Sequence, residues 1–134
     1  MNRTFLSGAI EGLASEYGYN FQQGDKSHYP TTVCRYPSAF LVQPEFVGIE
    51  GRNHGRITYH ISLYLAKQGA KLSPAELNTT LDEMEQEMTN IFINLSKTER
   101  VAVVENLTIT PASGIIDNHG ALNLVAKANV TTIF

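Results

Sequence analysis

Ser73–Leu95, SPAELNTTLDEMEQEMTNIFINL, has the clearest pattern in the chain, and the rest of the fold can be read outward from it. Ser73-Pro74-Ala75-Glu76 is a helix start. The Ser73 hydroxyl can accept from the free amides of the first turn, Pro74 stands where a missing N–H costs nothing, and Glu76 can reach back to close a capping box. Leu77, Leu81, Met84, Met88, Ile91 and Leu95 then follow at alternating steps of four and three, with Phe92 widening the stripe. Side chains so spaced share one helix face, so the spacing predicts a long amphipathic helix laid on an apolar surface. Asp82, Glu83, Glu85 and Glu87 fall outside the stripe, and no base follows until Lys97. Helices usually mix signs to gain pairs four residues apart. An unbalanced acidic surface either meets a basic partner, repels polyanions or is simply solvated.

The surface that receives this helix is predicted to be a sheet. Arg56–Lys67 alternates cleanly, with Ile57, Tyr59, Ile61, Leu63 and Leu65 on one face and Arg56, Thr58, His60, Ser62, Tyr64 and Ala66 on the other. Before it come a short β-branched run, Thr31–Tyr36, and a longer one, Ala39–Glu50. Pro44 interrupts the latter, which implies a bulge, a break or an edge position. Gly51-Arg52-Asn53-His54-Gly55 reads as the intervening hairpin turn. After the long helix, Val101–Thr110 and Ala121–Phe134 read as strands joined by 111–120. In the last, Leu122, Leu124, Ala126, Ala128 and Val130 face one way and Asn123, Lys127, Asn129 and Thr131 the other. A terminus this apolar is expected to be held in a sheet.

At the other end, residues 2–17 read as a helix carrying Phe5, Leu6, Ala9, Ile10, Leu13, Ala14 and Tyr17, ended by Gly18. Gly8 and Gly12 weaken that helix and suggest close packing against another element. Residues 18–30 have no period and are expected to be a loop. Its Tyr19, Phe21 and Tyr29 mark it as a contact surface. The predicted order is α-β-β-β-α-β-β: a single α+β domain over 1–134, mainly antiparallel, with both helices packed on the sheet.

Composition excludes several classes. A chain of 134 residues is long enough for one core without disulfides. Its net charge of −3 argues against a nucleic-acid binder with a broad basic surface. Its 17% charged residues, below the usual quarter or so, fit a surface partly covered by neighbours. Cys34 is the lone cysteine, so no internal disulfide forms. Met1–Thr4 carries one base with no apolar run behind it, so no secretory signal is expected. No stretch approaches the roughly 20 apolar residues that span a bilayer, and no membrane partner is expected.

No cluster of residues announces a reaction. His28, His54, His60 and His119 have no second ligand at zinc-like spacing, so no metal is expected. His60, on a strand, reads as a cross-strand partner. Asn53-His54-Gly55 and Asn118-His119-Gly120 repeat one tripeptide in two turns, as Asn and Gly do wherever φ is positive. Cys34 has no visible activating base, and no nucleophile elbow or phosphate loop is present. Neither an enzyme nor a cofactor is expected.

The order of elements, carried by the helix Ser73–Leu95 and the hairpins Ala39–Lys67 and Val101–Phe134, resembles the tail terminator and tail-completion (head–tail joining) proteins of long-tailed bacteriophages. The resemblance implies a structural virion component of the tail or neck, assembled in the bacterial host cytoplasm. Such proteins form a homo-oligomeric ring, commonly a hexamer, that joins the tail tube to the head connector, with DNA passing through the lumen. On that view Asp82, Glu83, Glu85 and Glu87 line the lumen or face a partner. The segments holding Tyr19, Phe21 and Tyr29, and Arg52, Asn53 and His54, are then docking loops. The alternative is a small cytoplasmic binding module recognising a basic partner through the acidic face of the helix.

Overall fold

The computed structural model describes residues 2–25, 36–51, 55–69, 71–112 and 120–133. In chain order the elements are α1 (Asn2–Glu16), β1 (Asn20–Gly24), β2 (Ser38–Val42), β3 (Glu45–Glu50), β4 (Arg56–Gln68), α2 (Pro74–Ser96), β5 (Val101–Thr110) and β6 (Ala121–Ile133). The six described strands form one sheet in the order β1-β2-β4-β6-β5, with β3 also paired to β4. All pairs are antiparallel except β1–β2. The domain is α+β, as the sequence predicts, with β1 added and the predicted run Ala39–Glu50 divided into β2 and β3.

The long helix starts as its sequence dictates. Ser73 accepts from the Glu76 amide, and Glu76 Oε1 accepts from the Ser73 amide at 3.1 Å. This bond holds the Glu76 carboxyl below its ordinary pKa. Met84, Met88, Ile91, Phe92 and Leu95 are fully buried, each contributing about 1.5–3 kcal/mol of transfer free energy. Leu77 and Leu81, nearer the start, pack only at the margin of the core.

The receiving face is the one the alternation names. Tyr59, Ile61, Leu63 and Leu65 of β4 stand beside Val130, Ala128, Ala126 and Leu124 of β6, and all eight are buried under the helices. From α1, Leu6, Ile10 and Ala14 join the same core. The opposite face of the sheet carries a small separate cluster of Phe40, Val42, Tyr64 and Val125 and is otherwise largely polar. There Thr58 and Thr131 share a hydrogen bond of 2.8 Å, and His60 meets Asn129 at 3.1 Å. His60 is thus a cross-strand partner.

Pro44 divides the longer run. β2 and β3 lie end to end along one side of β4, and β3 carries a bulge between Phe46 and Gly48. The last strand is held between β4 and β5. Near its end Thr132 is fully buried, accepting from Asn2 Nδ2 at 2.9 Å and donating to the Ile57 carbonyl at 3.1 Å.

Two expectations need correction. The segment 18–30 is not a loop throughout, because Asn20–Gly24 forms β1, in parallel register with Ser38–Val42. Asn, Gln and Gly are weak strand formers, so no local pattern betrays this strand. The ladder with β2 makes it. Gly8 and Gly12 do not mark close packing either, since a Cβ built at either would meet nothing within 4 Å. The predicted strand Thr31–Tyr36 lies outside the described residues except for Tyr36.

Candidate interaction surfaces

The acidic residues of α2 do not form one face. With a turn of about 100° per residue, Glu83 and Glu87 fall on one flank of the buried stripe. Glu85 falls on the other flank, and Asp82 points away from the sheet. Asp82, Glu83 and Glu85 are exposed.

Glu87 is engaged in the fold. Its Oε1 accepts from the Tyr19 hydroxyl at 2.8 Å and from Lys67 Nζ at 3.1 Å. The Lys67 ammonium also lies 5.4 Å from the centre of the Tyr19 ring. No base stands near Glu87 within the helix; its partner Lys67 comes from β4. The segment after α1, the middle of α2 and the end of β4 therefore meet at one carboxylate. Burial, the hydrogen bond to Glu87 and the nearby charges of Glu87 and Glu83 push the Tyr19 hydroxyl far above its usual pKa. A phenol so held is a donor and not a nucleophile.

This settles the place of Tyr19. It is 3% exposed, so it belongs to the core and offers nothing to a docking partner. Phe21, on β1, is half-buried and packs against the same core. Tyr29, Arg52, Asn53 and His54 lie outside the described residues, as do Cys34, His28 and His119. Among the described residues, no three His, Cys, Asp or Glu side chains are grouped as a metal site would need. No described helix is long and apolar enough to cross a membrane.

One surface escaped the sequence reading. In β3, Phe46, Val47 and Ile49 are 54, 55 and 60% exposed. On its inner side the strand pairs with β4. Phe46 meets the Tyr59 ring edge-on at 6.3 Å, while Arg3 stacks on that ring at 5.4 Å and donates to the Pro44 carbonyl. Among the described residues no strand pairs with its outer side. The signal was in the sequence: Glu45-Phe46-Val47-Gly48-Ile49-Glu50 has too little polar alternation for a half-solvated strand.

The other lateral edges are less apolar. β5 is bulged twice, carries Glu105, and has Asn106 at φ 58°. Bulges and charges of this kind blunt an edge against pairing. β1 is short and has no charged side chain.

No protein-family model matches the chain, and no curated protein matches it significantly.

Proposed function

We propose that the chain is a non-enzymatic structural subunit of a phage-like tail, related in role to tail terminators. In this reading it assembles side by side into a ring at the head-proximal end of the tail tube, joining tube to head connector. The ring is a hexamer, and DNA passes through its lumen without specific binding. The observation that carries the reading is that, among the described residues, helices cover one face of the sheet only and strand edges are unpaired. Such edges are normally blunted, closed into a barrel or covered by neighbours, and side-by-side assembly is one way to cover them. The resemblance in element order supplies the tail context. Of Asp82, Glu83, Glu85 and Glu87, the first three are exposed and, though spread over different sides of the helix, supply negative charge that would repel DNA.

Sedimentation and negative-stain microscopy of the purified chain test the proposal. A ring-sized species, formed alone or on addition of tail-tube protein, is the expected result. A chain that stays monomeric at high concentration both alone and with the tube protein overturns it.

A further inference from the structure

Helix α1 is intrinsically weak and is fastened mainly at its ends. Gly8 and Gly12 lower its helix propensity, and both stand in open space. Arg3 in its first turn and Glu16 in its last oppose the helix macrodipole. Three of its apolar side chains, Leu6, Ile10 and Ala14, are fully buried, against five in α2. At its C-terminal end Gly18, at φ 80°, turns the chain out of the helix. The next residue, Tyr19, is buried and bonded to Glu87 of α2.

At the N-terminal end, side chains of the first turn reach across to the sheet. Asn2 Nδ2 donates to Thr132 of β6, and Asn2 Oδ1 accepts from Arg100 Nη2, both at 2.9 Å. The Arg100 guanidinium also lies 4.9 Å from the centre of the Phe5 ring. Arg3 is fixed on the Tyr59 ring and the Pro44 carbonyl. Arg100, in the turn between α2 and β5, holds φ 76°, a left-handed backbone uncommon outside glycine. Its carbonyl accepts from the Ile133 amide at 2.8 Å while its side chain reaches α1. A backbone of this kind persists where the surrounding contacts over-determine it.

We propose that α1 is a lid, hinged at Gly18 and latched at its first turn by Arg100 and Arg3, which opens as one unit while α2 and the sheet stay folded. Opening uncovers the part of the core that Leu6, Ile10 and Ala14 close, and frees the Tyr59 ring and the Pro44 carbonyl. Among the described residues of the main core cluster only those three fully buried side chains belong to α1. Tyr19, α2 and the ladders of β4 and β5 with β6 remain, so the open form keeps most of the native burial. The device holds whether or not copies form a ring.

Native-state hydrogen exchange of the full chain in rising urea tests it. Amides of residues 6–16 report α1, and those of β4 and β6 report global unfolding. In the wild-type chain the α1 amides open as a group, at least about tenfold more often than the sheet, with a shallow urea dependence. Arg100→Ala breaks the latch and speeds α1 exchange about tenfold. Thr58→Val removes the bond to Thr131 on the sheet face opposite α1, a bond that the open form retains. It therefore speeds exchange in β4 and β6 about threefold or more and leaves α1 unchanged. An α1 that tracks β4 and β6 in urea, or that speeds with them in Thr58→Val, opens only with the whole domain and overturns the proposal. So does an Arg100→Ala chain whose α1 exchange is unchanged.

Discussion

Replacing Glu87 by Ala separates the structural carboxylate of α2 from its exposed neighbours. Glu87 is the acceptor for the hydroxyl of Tyr19, a residue 3% exposed, so truncation leaves a buried donor unsatisfied at a cost of about 1–3 kcal/mol. Loss of the pair with Lys67, whose side chain is 24% exposed, adds up to about 1 kcal/mol. Neutralising Asp82, Glu83 and Glu85 together with amides, which makes no comparable change, should move stability by no more than about 0.5 kcal/mol per site. Urea unfolding followed by circular dichroism measures both, the chain having no tryptophan to report. A double-mutant cycle isolates the contact: in a Tyr19→Phe background the cost of Glu87→Ala should fall by about 0.5–3 kcal/mol. If Glu87→Ala costs no more than Glu85→Ala, or the two changes add, the proposed anchor carries no stability. Neutralising all four carboxylates at once would confound folding with any role in assembly. The triple variant is the one that tests the lumen.

Other expectations follow from the same geometry. Gly8→Ala and Gly12→Ala, on an exposed helix surface with open space, should each raise stability by up to about 1 kcal/mol in thermal unfolding; no gain would mean that the helix is covered or strained there. Gly69→Ala should cost about 1–3 kcal/mol, because its Cβ would stand 2.7 Å from Leu122 Cγ in the core; an unchanged midpoint would show that β6 yields easily. Because the Tyr19 hydroxyl titrates higher when folded than unfolded, its contribution is complete below about pH 10 and is lost as pH rises above that. Tyr19→Phe should remove that part of the alkaline decline in a pH series of unfolding curves. Glu76 has the opposite sign: its lowered pKa lends stability above the ordinary carboxylate range that is lost on acidification, so Glu76→Gln should flatten the acid limb.

Periodic elements were legible in the sequence because each carries its own signal. The capping box fixed the start of α2, the stripe from Leu77 to Leu95 fixed its buried face, and strict alternation fixed the inward residues of β4 and β6. Pro44 announced the break between β2 and β3, since a residue without an N–H cannot continue a ladder. These are local consequences of backbone geometry and hydrophobic spacing. Strand β1 has no such signal and exists because β2 offers it an edge. The anchoring of Glu87 was equally hidden, for its partners stand 68 and 20 residues away in the chain and meet it only once the sheet and helix are packed. Tyr19 read as a contact residue because burial is a property of the assembled core and not of a residue's neighbours in sequence. By itself the sequence determined the two described helices, the principal strands and the faces they bury. Tertiary structure alone decided which carboxylate is spent inside the fold and which apolar strand is left at an edge, since both depend on what lies opposite across the chain.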